Sequence, residues 1–157
     1  MATLLFGQAF FDDLTARARA APRRRTNVNF HPSADFPAHR FLVAMEPETY
    51  VRPHRHTGSH KDETLVALRG RFGLLVFDAQ GNVTTHAVLA PDSEHSGANI
   101  AAGTFHSTLA LESGAIIMEA KAGPYEPTTD KDWGPWAPPE GSAGAQDYLR
   151  VMRGFFA

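Results

Sequence analysis

The sequence contains no cysteine, which removes disulfide staples, thiolate metal sites and cysteine nucleophiles together and leaves imidazole and carboxylate as the strong ligands available. An excess of positive charge is also missing. Lys and Arg number 15 against 17 Asp and Glu, a formal net charge of −2, so no overall field draws the chain onto nucleic acid or anionic lipid, and neither partner is expected. No apolar run approaches the length needed to span a bilayer. Met1 to Phe11 is fairly apolar, but it lacks a basic leading segment and runs into Asp12 and Asp13. It makes a poor secretion signal, and a cytoplasmic protein is expected. No internal repeat or low-complexity tract is present, and 157 residues suit one compact domain better than two undersized cores.

Between Gln8 and Ala21 the apolar residues Phe10, Phe11, Leu14 and Ala18 recur at three and four positions, with Asp12, Asp13, Arg17 and Arg19 between them. That spacing predicts an amphipathic helix stopped by Pro22. Pro22 to Pro37 holds three prolines and no period, so residues 1–39 read as a helix followed by an extended arm over the surface. Arg23, Arg24 and Arg25 within it read as a solvated face. From residue 40 to 123 short runs rich in Val, Leu, Phe and Thr alternate with breaks at EPET, RG, DAQGN, APDSEHSGAN, AAG and ESG, the pattern of an all-β sandwich or barrel. Residues 124–157 begin with a Pro, Gly and Trp-rich stretch, read as a surface tail. They end in Tyr148, Leu149, Met152, Phe155 and Phe156, an apolar stripe at helical spacing that needs a covering surface, either the chain's own barrel or a second copy.

Chemistry concentrates in a few histidines. Tyr50-Val-Arg-Pro-His54-Arg-His56 reads as a strand end, where alternate side chains share a face, so two imidazoles project together and can grip one cation. After a polar loop, Glu63 opens a returning strand that brings a carboxylate beside them, and Gly70 permits the tight turn that follows. Gly103-Thr-Phe-His106 starts another strand straight after a turn and offers a third imidazole. Taken alone, His54 or His56 reads equally well as an ordinary strand residue; it is Glu63, Gly70 and His106 following in order that favour a metal site. His31, His39, His86 and His95 lack any such frame and read as surface or supporting residues.

The ordered set H-x-H, E, G and G-x-x-H resembles the two motifs of the cupin superfamily. More narrowly, PHRHTGSHKDETLVALRG, AAGTFHS and MEAKAGPYEP, with PRRRTNVNFH upstream and WAPPE downstream, resemble the WbuC-type cupins found with bacterial surface-polysaccharide genes. The resemblance spans roughly Phe10 to Glu140. It implies a cupin double-stranded β-helix, a jelly-roll barrel, with a short N-terminal helix and a C-terminal tail or helix. It also implies one divalent metal held inside by His54, His56, Glu63 and His106. The chain departs from the superfamily pattern in three places. The interval from His56 to Glu63 is long, which leaves His60 as a rival ligand; Ala101 replaces the usual turn proline; and Ala110 stands where many cupins carry Asn.

Three imidazole nitrogens and a carboxylate oxygen suit Fe, Mn, Ni, Co or Zn, and ligand type does not choose among them. With six-coordination, two positions stay open for water, a chelating substrate or dioxygen. Catalytic candidates come from alternation. Tyr50 and Arg52 share parity with His54 and His56, and Glu119 and Lys121 share one face of the last barrel strand, pointing either inward beside the metal or outward as a polar stripe. Arg25, Asn29, His31 and Arg40 are candidates to close the barrel mouth over an anionic or sugar-like ligand. The expected function is a metal-binding cupin that binds, and in an enzyme transforms, a small polar, saccharide-related metabolite. An Fe- or Ni-dependent dioxygenase and a non-catalytic ligand-binding or sensing module are the alternatives. A homodimer is expected, because Trp133, Trp136, Phe155 and Phe156 supply apolar area for contact.

Overall fold

The structure, a computed structural model, describes residues 3–125 and 132–157, so residues 126–131 of the expected tail lie outside the described residues. Helix α1 spans Gln8–Ala20. Its last turn carries Arg17 and Arg19, whose charge complements the negative end of the helix dipole, and Ala21 leaves the helix extended just before Pro22. Strands follow as β1 (Arg25–Asn29), β2 (Ala38–Met45), β3 (His54–Arg55), β4 (Glu63–Arg69), β5 (Phe72–Phe77), β6 (Val83–Leu89), β7 (Gly97–Ile100), β8 (Phe105–Ala110), β9 (Ala115–Ala122) and β10 (Asp132–Trp133). Helix α2, Ala145–Arg153, and a 3₁₀ turn at Gly154–Phe156 complete the chain.

The strands form two five-stranded antiparallel sheets, ordered β1-β2-β9-β4-β7 and β10-β3-β8-β5-β6. Together they are the two walls of a cupin jelly roll. Alternation then sorts the apolar residues into three cores. Inside, between the sheets, pack Val43, Met45, Leu65, Ala67, Phe72, Leu74, Ala115 and Ile117. On the outer face of the first sheet, Leu42, Ala44 and Ile116 meet Phe11, Leu14 and Ala18 of α1. On the outer face of the second, Leu75, Phe77, Phe105 and Leu109 meet Leu149 and Met152 of α2. Each sheet thus carries a helix on its outer face, so β5 reads FGLLVF, a nearly unbroken apolar run, and all six residues of β8 are buried.

Two expectations need correcting, and one open alternative is decided. Part of the arm is a strand: Arg25–Asn29 pairs with Phe41–Met45 and extends the first sheet at its edge. The break read as APDSEHSGAN is too long, since Gly97–Ile100 pairs with Glu63–Val66. Gly97 sits there because a Cβ would collide with the Leu65 carbonyl. The C-terminal stripe is covered in cis by the second sheet, with Leu149 and Met152 buried and Phe156 packed against the same cluster, so much of the apolar area assigned to a dimer contact lies inside the protomer. Trp133 and Phe155 stay exposed.

Candidate metal centre

The strand register builds the site. His54 on β3 lies directly opposite His106 on β8 in the second sheet. In the first sheet, Glu63 on β4 lies opposite Lys121 on β9, which lies opposite His39 on β2. Face-to-face packing of the sheets then brings the two rows together. His54, His56, Glu63 and His106 are all buried, and one ligand atom from each lies within 4.8 Å of the others. The imidazole centroids of His54 stand 4.6 Å from His106 and 5.2 Å from His56.

Backbone contacts orient these rings. His54 Nδ1 lies 3.0 Å from the Arg52 carbonyl and His106 Nδ1 2.9 Å from the Thr104 carbonyl. A carbonyl only accepts, so both Nδ1 atoms carry the hydrogen and both Nε2 atoms are turned to the cluster, the arrangement that supports histidine ligands elsewhere. His106 Nε2 is 2.8 Å from Glu63 Oε2, and His56 Nε2 is 3.7 Å from Glu63 Oε1. The turn carrying Ala101 is held without a proline. Asp62 Oδ1 accepts from Ala102 N at 2.9 Å, and Gly103 N donates to the His56 carbonyl at 2.8 Å. Gly103 itself has φ +81, a left-handed conformation that favours glycine.

Burial pushes the Glu63 carboxyl upward, but the close approach of the His106 and His56 imidazoles and the nearby Lys121 charge outweigh it and hold the group well below the usual carboxylate range. The carboxylate is thus ionised where a cation would need it. Donor atoms about 2.1 Å from a common ion stand roughly 3 to 4 Å apart, so the buried cluster needs only a small contraction to enclose one. The residues present fit a divalent ion with three nitrogen donors and one oxygen donor. His60 is exposed in the loop between β3 and β4 and does not join the cluster.

Above the cluster opens a cavity of about 470 Å³, within the range of small-ligand pockets. Glu119 and Lys121 face into it, as do Arg25, Asn29 and His31. Their rows explain the placement: Asn29, Phe41, Glu119 and Leu65 lie opposite one another across the first sheet. Three candidates lie elsewhere. Arg40 has the opposite parity from His39 and Phe41, is exposed, and stacks over Phe36. Tyr50 precedes β3 where no strand alternation applies. It is buried in the α2 core, donates to the Pro138 carbonyl at 2.9 Å, and burial pushes its phenol upward. Arg52 turns to the Gly134 carbonyl at 3.2 Å and to the Trp133 ring.

The cavity also contains residues that sequence reasoning passed over. His39 is buried, stacked on His31 with centroids 4.0 Å apart, and burial together with the neighbouring His31 keeps it below its usual range. Its parity with Phe41, Val43 and Met45 was the signal that would have found it. Asn27 and Arg23 also line the cavity. The arginine run is not simply a solvated face: Arg23 grips Glu140 through two bonds of 2.7 and 2.6 Å, and Arg25 adds a third at 2.9 Å. This ties the PRRR segment to WAPPE across 117 residues of sequence.

Comparison with known proteins agrees on the fold. KdgF from Halomonas sp. superposes with a TM-score of 0.51 at 16% identity over 68% of this chain and 84% of its own. The capsular polysaccharide assembling protein CapF from Staphylococcus aureus gives 0.56 at 14% over 68% of this chain, and oxalate decarboxylase from Bacillus subtilis 0.51 at 16% over 69%. The chain spans 29% of CapF and 27% of oxalate decarboxylase. At these identities the likeness shows the cupin fold alone. No curated protein matches the chain. The family model described as "Domain of unknown function (DUF6016)" matches residues 6–89, from α1 through β6 and including His54, His56 and Glu63, and the chain belongs to that family.

Proposed function

We propose that the protein is a metalloprotein in which His54, His56, Glu63 and His106 hold one divalent transition metal at the floor of the cavity, and that it binds and transforms a small polar metabolite there. The observation that carries this reading is the buried convergence of four ligand atoms within 4.8 Å beneath an open cavity. A buried carboxylate among imidazoles is costly unless a cation or a proton compensates it. When bound, the ion would supply Lewis acidity toward a ligand oxygen. Glu119, on the cavity wall two residues from Lys121, is the carboxylate available to accept or return a ligand proton. Lys121 stabilises negative charge next to Glu63, with Nζ 3.7 Å from Oε1. The presence of these two inward groups favours a catalytic reading over a purely binding one.

The narrower kinship with WbuC-type cupins, and with it a saccharide-related ligand, is supported by the segments that carry the resemblance, several of which line this cavity or tie it together. CapF, a capsular polysaccharide assembling protein, adds an analogy of fold only. Elemental analysis of the purified chain tests the metal reading: about one equivalent of a transition metal, lost in His54→Ala and His106→Ala, is expected. A chain that takes up no metal from any of the five candidates removes it. A dimer is retained in this reading because Leu5, Trp133 and Phe155 stay exposed, and sedimentation should then give the mass of two chains.

A further inference from the structure

Strand β8 carries three buried polar side chains in a row, His106, Ser107 and Thr108, and the fold gives a hydrogen-bond partner to the first two. His106 Nδ1 lies 2.9 Å from the Thr104 carbonyl, and Ser107 Oγ donates to the Val51 carbonyl at 2.6 Å. Thr108 is only 6% exposed, yet among the described residues no backbone or side-chain group hydrogen-bonds its hydroxyl. That oxygen is not sealed off, for it borders the cavity. We propose that Thr108 determines ligand specificity: its hydroxyl hydrogen-bonds a hydroxyl group of the ligand, several bonds away from the oxygen that the ligand gives to the metal. This rests on the metal-binding reading and specifies the ligand class that reading leaves open.

The placement follows from the strand. Thr108 has the parity of His106 and lies two residues along β8, about 7 Å of strand, so both side chains enter the barrel while Ser107 between them turns the other way. Leu74 is the partner of Thr108 on β5. Val43, Met45, Val51 and Leu65 supply apolar lining to the same cavity. Valine has nearly the shape of threonine and would pack here without desolvating a hydroxyl, so the oxygen costs stability unless something in the cavity uses it.

The spacing then describes the ligand. With a metal–oxygen bond at one end and a hydrogen bond at the other, about three to five covalent bonds join the metal-bound oxygen to the oxygen that meets Thr108. A hydroxyl suits that position because it both gives and receives, matching either orientation of the threonine hydroxyl. A methyl group in its place would cover Thr108 without pairing it, and a site built for a hydroxyl rejects such an analogue.

The test uses the full chain loaded with Zn²⁺, its metal content verified, and titrates three probe pairs calorimetrically: 3-hydroxypropionate against butyrate, 4-hydroxybutyrate against pentanoate, and 5-hydroxypentanoate against hexanoate. Each pair exchanges a hydroxyl for a methyl and keeps the carboxylate, so the other charges of the cavity cancel in the comparison. In at least one pair the hydroxy acid should bind about 5-fold or more tightly. Thr108→Val should erase that preference and Thr108→Ser should keep it. No preference at any length, a preference that survives in Thr108→Val, or no binding of any probe to metal-replete protein overturns the inference while leaving the metal reading intact. If Thr108→Val does not fold, the wild-type ranking and Thr108→Ala decide in its place, with the same loss expected. Failure to load metal at all is a distinct result that removes this inference together with the reading beneath it.

Discussion

Strand β9 passes through two environments on one face. At one end Lys121 and Glu119 line a cavity beside three histidines and Glu63; at the other, Ile117 and Ala115 are fully buried in an apolar core with Phe72, Leu74 and Met45. The same change occurs along β8, from His106 and Thr108 to Ala110, and along β4, from Glu63 to Leu65 and Ala67. The barrel interior is thus divided across its length. The apolar half supplies stability through burial, while the polar half gives up some of that gain for ligand groups held in fixed directions. Ala110, where many cupins carry a polar residue, belongs wholly to the apolar half, so the boundary in this chain lies at Thr108.

That division can be broken from either side. The largest effect is expected in the apolar half: Ile117→Ala should cost about 2 to 5 kcal/mol of stability by denaturant unfolding, with metal stoichiometry retained in the folded fraction. A loss of metal without a loss of stability would show that the halves are not separate. His106→Ala should do the reverse, weakening metal binding by about 100-fold or more, equivalent to ~2.7 kcal/mol, while chelator-treated wild type and variant differ little in unfolding midpoint. Removing metal from the wild type with a chelator should lower its melting temperature, because a ligand present at about 100 times its dissociation constant stabilises by ~2.7 kcal/mol; an unchanged melt would argue against a folded-state metal site.

The smallest effect concerns the clamp of Arg23 and Arg25 on Glu140. Burial raises the Glu140 carboxyl, but hydrogen bonds from Arg23 and Arg25 bring it down to about 2 from an ordinary 4.5. A group lowered on folding stabilises above its unfolded value and loses that contribution as pH falls through the folded one. Glu140→Gln should therefore be less stable than wild type at pH 7 by roughly 1 kcal/mol, and the gap should close between about pH 4.5 and 2. Melting curves at stepped pH would show it; a gap constant down to pH 2 would mean that the carboxylate's charge contributes nothing.

Much of the site was legible because strand alternation and motif order are local. His54 and His56 share parity, Glu63 opens β4 and His106 is the second residue of β8, so the expected ligand set and the cluster involve the same four residues. Glu119 and Lys121 were restricted to one face by the same rule, though the rule did not say which. Where alternation was extended to a segment that is not a strand, it failed: Tyr50 and Arg52 precede the proline before His54 and follow no period. Where it was not applied, residues were misplaced: Arg40 points away and His39 points in, one position apart.

By itself the sequence determined the helix before Pro22, the run of short strands, and the residues whose parity and spacing suit a metal, because these depend on near neighbours and on a two-residue repeat. Only the tertiary structure decided that Glu63 and not His60 meets the histidines, that Arg23 and Arg25 reach Glu140, and that the terminal stripe covers the chain's own barrel. Each of these is a contact between segments distant in sequence. Such contacts follow from sheet register and from the packing of one sheet on another, and no local pattern of residues encodes them.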